Sequence, residues 1–121
     1  MSRRIGDFKD LEVWQLAMTL AEETYRLAVR LPSSERFELS SQLRRSAVSV
    51  PSNIAEGYGR GSRGDYVRFL GIANGSLKEL ETQVLLACRL ELLPPDAGLP
   101  VLQLCSRVGQ MLTALKRSLA A

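Results

Sequence analysis

The sequence predicts an all-α fold, an up-down-up-down four-helix bundle that assembles into an oligomer. Apolar residues recur at spacings of three and four over four long stretches, which is the pattern of amphipathic helices. No stretch alternates apolar and polar residues with the period of two that a half-buried strand shows. The stretches are separated by short breaks, and short connections favour antiparallel neighbouring helices.

The first two helices are joined at Pro32, because the residue before a proline is disfavoured in helical backbone. Asp10 is expected to cap the first helix, and Ser33 or Ser34 the second. Pro51 falls inside the second helix, where it removes one backbone hydrogen bond. Since the apolar spacing continues beyond it, we expect a kinked continuation. Within a single domain of residues 1–121, the predicted helices cover about residues 10–31, 34–58, 63–92 and 98–119.

The third helix follows a loop that is predicted by four glycines between Gly57 and Gly64. Ser62, with Asp65 three residues later, has the pattern of a helix N-cap. Pro94–Pro95 ends the third helix, and Asp96 is expected to cap the fourth. The third helix has apolar residues on more than one face, which exceeds the need of an isolated bundle and predicts a subunit interface. The residues outside its main apolar line are Phe69, Ile72, Leu85 and Leu86.

The composition excludes several classes of enzyme. The 121 residues include no histidine, which removes Ser-His-Asp triads, Cys-His dyads and the Glu-x-x-His ligands of di-metal bundle sites. We therefore expect no catalytic residues, no metal site, no cofactor and no enzymatic activity.

The basic excess of the chain is concentrated in its middle. The formal net charge is +3, and thirteen of the sixteen basic residues are arginines, whose planar guanidinium suits phosphate or carboxylate recognition. Residues 42–78 alone carry +4. Both a solvated surface and an anionic partner are consistent with this distribution.

Two glycine motifs have structural explanations. Residues 59–64 match G-x-G-x-x-G, but a helix precedes them, whereas the dinucleotide fingerprint follows a strand. They form a loop that carries Arg60 and Arg63 before a helix N-terminus, and either loop geometry or an anion contact explains it. Gly71 and Gly75 form G-x-x-x-G, which in a soluble helix indicates close packing against a neighbour.

A line of polar residues follows one face of the second helix at spacings of three and four. The third helix has a matching line at Ser76, Glu79 and Gln83. Polar side chains beside a core stripe usually form a hydrogen-bonded network, because buried polar groups must be paired. We expect Arg45 to pair with Glu56 or Glu79. The predicted structural network comprises Gln42, Arg45, Ser49, Asn53, Glu56 and Glu79.

The remaining features indicate a cytoplasmic protein without a membrane partner. No apolar run reaches the roughly 18 residues of a membrane span. Ser2-Arg3-Arg4 leads into polar residues and not into the apolar segment of a signal peptide. Cys88 and Cys105 lie among leucines and are expected to be free, buried thiols.

The second helix carries the segment LRRSAVSVPSNIAEG, residues 43–57, and the third carries Y-x-x-F-L-x-x-A-x-G-S-L-x-E-L-E, residues 66–81. With L-x-V-W-x-x-A at residues 11–17, these motifs resemble the bacterial four-helix-bundle family named for 23S rRNA intervening-sequence proteins. The resemblance covers roughly residues 8–93. It implies a homopentameric bundle, and a related branch, the accessory variability protein of diversity-generating retroelements, binds nucleic acid and a reverse transcriptase. The family brings no catalytic activity.

Two functional hypotheses follow. In the first, the chain is a homo-oligomer, expected to be a pentamer, that binds RNA or DNA mainly through electrostatics, with Tyr58 as the residue placed to stack on a base. In the second, it is an oligomeric adaptor that binds a protein partner and no nucleic acid. The candidate nucleic-acid-binding residues are Arg44, Arg60, Arg63 and Arg68.

Overall fold

The four apolar stretches form four α-helices in the computed structural model, which describes residues 6–120. No strand occurs within these residues, and the all-α prediction is confirmed. Residues 1–5 and 121 of the predicted domain, including Ser2, Arg3 and Arg4, lie outside the described residues. The helices are α1 (Glu12–Val29), α2 (Leu39–Gly59), α3 (Arg63–Arg89) and α4 (Pro95–Ala120), with one-turn 3-10 segments at Phe8–Asp10 and Ser33–Glu35.

Each helix packs on the helices that precede and follow it, and α4 also packs on α1, as in a four-helix bundle. Large side chains fill the centre with no solvent exposure, including Leu20, Leu43, Leu70, Leu77 and Leu112. Burial of each such side chain contributes about 1.5–3 kcal/mol to folding. The core therefore lies along the axis between the four helices, and surface sites form on their outer faces.

The second helix begins later than predicted. Residues 33–38 include no buried side chain, and Leu39 is the first residue after Pro32 that reaches the core. A helical turn without an apolar face to bury is marginal in water. The predicted start near residue 34 is therefore wrong, and Ser33–Glu35 form a separate 3-10 turn.

Two of the predicted caps also differ. Asp10 accepts hydrogen bonds from the backbone amides of Gly6 (2.9 Å) and Asp7 (3.2 Å), so it closes the 3-10 turn, while α1 starts after Leu11 with no side-chain cap. The fourth helix starts at Pro95 and not after Asp96. Proline suits the first helical position, where its missing N–H has no intrahelical acceptor.

The third helix ends at Arg89, three residues before the predicted end near residue 92 and well before Pro94–Pro95. Two other predictions, the continuation of the second helix and the cap of the third, are confirmed. The second helix continues through Pro51, whose side chain is buried. The hydroxyl of Ser62 accepts from the amide of Asp65 at 3.2 Å and caps α3. Of the residues outside the main apolar line of α3, Ile72, Leu85 and Leu86 are 41–49% exposed, whereas Phe69 is 9% exposed.

Gly57 sets the distance between α2 and α3 beside their connecting loop. A β-carbon at this position would lie 2.7 Å from the β-carbon of Phe69 and 3.3 Å from the carbonyl oxygen of Tyr66. Only a glycine permits this approach without displacing a helix. The close contact places Tyr66 and Phe69 directly against the end of α2, where three arginines gather.

Candidate functional site

Two arginines lie over one aromatic ring where α2 turns into α3, and a third arginine begins α3. The guanidinium carbon of Arg60 lies over the ring of Phe69, 5.0 Å from its centroid, and that of Arg68 lies 4.5 Å from the same centroid. Arg63 opens α3 beside them. We call Arg60, Arg63, Arg68 and Phe69 the tip cluster. Its geometry follows from Gly57, which allows Phe69 to pack against α2, and from the Ser62 cap, which fixes the first turn of α3.

Two of the three arginines in the tip cluster have acidic neighbours on their own helices. Arg60 pairs with Glu56 at 3.2 Å, and Arg68 pairs with Asp65 at 3.7 Å. All four side chains are 41–57% exposed, so solvent weakens these ion pairs, which contribute at most about 1 kcal/mol each. Arg63 has no ion pair within 4 Å in the described part of the chain. An anion that binds the guanidinium groups more tightly than Glu56 and Asp65 do can therefore displace these two carboxylates.

The backbone beside the tip cluster is open. β-carbons built at Gly59, Gly61 and Gly64 would meet no atom within 4 Å. Gly61 has a φ of +83°, a conformation that favours glycine. These residues leave room for a chain-like ligand to approach the loop closely.

The aromatic side chains near the tip cluster pack against each other. The ring centroids of Tyr58 and Tyr66 lie 5.8 Å apart in an edge-to-face arrangement, so Tyr58 packs against another side chain of the bundle. The hydroxyl of Tyr66 is buried and has no hydrogen-bond partner among the described residues. Burial, and to a smaller extent the neighbouring Tyr58, raises the pKa of Tyr66. On α1, Tyr25 lies four residues after the buried Ala21 and three before the buried Ala28, yet its side chain is 46% exposed.

Arg44 lies apart from the tip cluster. Arg44 precedes Arg60 by sixteen positions, which corresponds to about 24 Å along a helix. Its Nη1 donates a 2.7 Å hydrogen bond to the hydroxyl of Ser40, one turn earlier. The four arginines predicted to bind nucleic acid are thus three neighbours and one distant residue.

Part of the predicted polar network connects α2 and α3. The hydroxyls of Ser49 and Ser76 lie 2.7 Å apart, and the amide of Asn53 donates to the Ser49 hydroxyl at 2.9 Å. Ser46, which the spacing argument missed, donates to Oε1 of Gln83 at 2.7 Å. Ser46 lies between the apolar and polar lines of α2, and its spacing of four from Gln42 and three from Leu43 was the available signal.

Gln42 and the charged members of the predicted network stay on the surface. Gln42, Arg45 and Glu79 are exposed and line an open groove of about 320 Å³ between α2 and α3. Glu56 pairs with Arg60, and Arg45 has no ion pair within 4 Å among residues 6–120. The expected pairing of Arg45 with Glu56 or Glu79 is therefore wrong within one chain. The long side chains reach water at little cost, so spacing alone does not bury them.

The G-x-x-x-G motif of α3 also faces outward. A β-carbon at Gly75 would meet no atom within 4 Å, and one at Gly71 would meet only the Nζ of Lys116, at 3.9 Å. The expected close packing of another element of the chain on this motif is thus not found in residues 6–120.

Both cysteines are free thiols, as predicted, although only Cys105 is fully buried and Cys88 is half-buried. Burial, and to a smaller extent the carboxylate of Glu81, raises the pKa of Cys105 to about 12. Residues 6–120 contain no group of three His, Cys, Asp or Glu side chains arranged to hold a metal ion. None of their helices has both the length and the apolarity that crossing a lipid bilayer demands.

Comparisons with known proteins support the fold and the resemblance. A family model described as 23S rRNA-intervening sequence protein matches residues 9–114. A solved structure, a protein with unknown function from the S23 ribosomal protein family of Bacteroides thetaiotaomicron VPI-5482, superposes with a TM-score of 0.77 at 23% identity. The match covers 86% of this chain and 97% of that one. No curated protein sequence matches.

Proposed function

The chain belongs to the 23S rRNA-intervening sequence protein family, and we propose that it is a non-enzymatic, homo-oligomeric bundle protein that binds nucleic acid, with RNA as the expected class. The observation that carries this proposal is the tip cluster, in which two guanidinium groups lie over one ring and a third has no ion pair. Arginine side chains arranged in this way bind phosphate oxygens without reading the base sequence.

The tip cluster suits a phosphate backbone for two reasons. Phe69 holds the guanidinium groups of Arg60 and Arg68 in place, so less side-chain freedom is lost when a phosphate binds. A phosphate can also displace the exposed carboxylates of Glu56 and Asp65, whose ion pairs are weak. The backbone at the glycines beside Arg60 is open, which leaves room for a nucleic-acid strand.

Self-association gives one assembly several copies of the tip cluster. The outer face of α3 exposes Ile72 (41%) and Leu86 (45%), Leu90 directly after the helix is 57% exposed, and Gly75 has free space around it. An interior helical glycine costs about 1 kcal/mol relative to alanine, and no element of the described chain uses the space at Gly75. A second copy packed on this face accounts for both features, and a ring of copies binds one strand at several tips.

Light scattering coupled to gel filtration tests the assembly. We expect a species several times heavier than the 13.4 kDa chain. The pentamer that the family resemblance implies would be about five times heavier than the single chain. Ile72→Glu with Leu86→Glu is expected to lower the mass, while Leu99→Glu, which changes an exposed leucine on α4, is not. A parent protein that elutes as a single chain at micromolar concentration would refute self-association.

Fluorescence anisotropy with a labelled single-stranded RNA of about 12 nucleotides tests the binding. Arg60→Ala with Arg63→Ala is expected to weaken binding at least about tenfold, because each charge-assisted contact contributes about 1.5 kcal/mol or more. Arg89→Ala with Arg107→Ala is the matched control, since it removes two exposed arginines that lie far from the tip cluster. Equal weakening by both double variants would indicate only nonspecific attraction by net charge.

The second hypothesis, an adaptor for a protein partner, is favoured by one feature. Phe37, between the first two helices, is 83% exposed. Large exposed aromatic side chains are common in protein interfaces. Absence of RNA binding at low salt by a correctly assembled parent protein would favour this adaptor function over the proposed one.

A further inference from the structure

A groove between α1 and α2 combines cationic, hydroxyl and aromatic groups, and it lies away from the tip cluster. Its volume is about 510 Å³, within the range of about 300–1,000 Å³ typical of small-ligand sites. We call it the α1–α2 groove. It is lined by Tyr25, Ser41, Arg44, Arg45, Val48 and Ser49.

The charge of the α1–α2 groove is uncompensated. No carboxylate belongs to its lining, and neither Arg44 nor Arg45 forms an ion pair within 4 Å in the described part of the chain. In the tip cluster, by contrast, two of three arginines already contact carboxylates. An anion that enters the groove therefore meets two guanidinium groups without displacing an acidic side chain.

Two successive hydrogen bonds hold the guanidinium of Arg44 in place. Its Nη1 donates to the hydroxyl of Ser40 at 2.7 Å, and Ser40 is buried and donates in turn to the carbonyl oxygen of Ala28 at 3.4 Å. This chain of hydrogen bonds ties the guanidinium on α2 to the backbone of α1. A guanidinium has five N–H donors, so Arg44 keeps others available for a ligand.

Tyr25 adds a surface of different chemistry. Its side chain is 46% exposed, and within residues 6–120 no aromatic ring packs against it. An exposed ring beside two guanidinium groups matches a ligand that carries a planar aromatic group next to an anion. A nucleotide with an unpaired base is such a ligand, because successive bases of single strands stack on aromatic side chains while arginines track the phosphates.

We propose that the α1–α2 groove binds one nucleotide of a single-stranded nucleic acid, with the phosphate at Arg44 and Arg45 and the base stacked on Tyr25. This assignment rests on the proposed nucleic-acid function and gives it a second contact point. It also predicts a preference for single strands over duplexes, which the tip cluster alone does not predict. A base-paired strand has no free base for Tyr25, so single strands bind more tightly than duplexes of equal length.

The test uses anisotropy titrations of the full-length chain with a labelled single-stranded RNA and with the matching duplex. Tyr25→Ala is expected to weaken single-strand binding by about tenfold, within the effect of about 5- to 150-fold that loss of one stacking contact produces, and to change duplex binding by less than about twofold. Tyr25→Phe keeps the ring and is expected to bind like the parent. Arg44→Gln is expected to weaken binding of both probes. Thermal melting verifies that each variant folds.

Four outcomes would overturn the assignment. Single-strand binding that survives Tyr25→Ala and Arg44→Gln but is lost in Arg60→Ala with Arg63→Ala would leave the proposed function standing and exclude the groove. Equal loss of duplex and single-strand binding in Tyr25→Ala would exclude stacking. A phosphoserine peptide that competes with the RNA on equal terms for the variant Arg60→Ala with Arg63→Ala would show a phosphate site in the groove without a base site. Absence of RNA binding by the parent protein would refute the proposed function and the groove together.

Discussion

Replacing Gly57 by alanine tests how the chain builds its tip cluster. The new methyl group would lie 2.7 Å from the β-carbon of Phe69 and 3.4 Å from Cδ1 of Tyr66. A β-carbon is fixed to its backbone, so α2 and α3 would have to separate by roughly 1 Å to restore an ordinary van der Waals distance, and overpacking of this kind costs up to about 3 kcal/mol. Alanine recovers about 1 kcal/mol of helix propensity. We therefore expect a net loss of about 2 kcal/mol of unfolding free energy.

Gly59→Ala is the matched control for this prediction. It lies two residues away on the same helix, and its β-carbon would meet no atom within 4 Å. It should leave stability unchanged or raise it by up to about 1 kcal/mol. Urea denaturation followed by circular dichroism at one protein concentration measures both variants, and a shift of the midpoint without a change of slope reports stability alone. If Gly57→Ala is as stable as the parent, the close approach of α2 and α3 is not what positions Phe69.

Three further predictions concern the surface and the buried thiol. Arg45→Ala should cost less than about 1 kcal/mol, since Arg45 is exposed and has no ion pair among the described residues, and a loss above about 3 kcal/mol in thermal melting would reveal a buried pair. Gly75→Ala should weaken self-association in light scattering while the single chain gains up to about 1 kcal/mol, and an unchanged mass at all concentrations would place Gly75 outside the interface. Burial raises the pKa of Cys105 from its ordinary 9.0 to about 12, so this thiol ionises first in the unfolded chain, and its contribution to stability should be constant below about pH 9 and be lost between pH 9 and pH 12. Melting curves of the parent and of Cys105→Ala isolate this contribution, and equal alkaline losses in both would contradict it.

The helices were predictable because their apolar spacing is sustained for many turns. Leu43, Ala47, Val50 and Ile54 keep that spacing across Pro51, and all four are fully buried. The missed boundary at residue 34 has a different cause. Serine and glutamate near a proline have the chemistry of a helix start, but only packing of Leu39 on the core decides where the helix gains stability.

The candidate sites were predictable only in part. Arg60, Arg63 and Arg68 are close in sequence and become neighbours through one turn, so their grouping follows from the glycine-rich loop. The presence of Tyr25 and Arg44 in one groove was not predictable, because they belong to different helices and Tyr25 shares the spacing of buried residues. A tyrosine at the edge of an apolar stripe can be buried or exposed, and the outcome depends on the side chains that other helices place next to it.

The proposed contact of the arginines with a phosphate backbone is tested most directly by the salt dependence of RNA binding. Titrations between about 50 mM and about 200 mM salt give the slope of log K against log salt, which falls by about 0.7 for each phosphate contact to a single strand. We predict tight binding at low salt, a steep negative slope for the parent, and a slope shallower by about 1.4 for Arg60→Ala with Arg63→Ala, while Arg89→Ala with Arg107→Ala keeps the parent slope. A parent slope near zero, or one that the tip variant leaves unchanged, would contradict it.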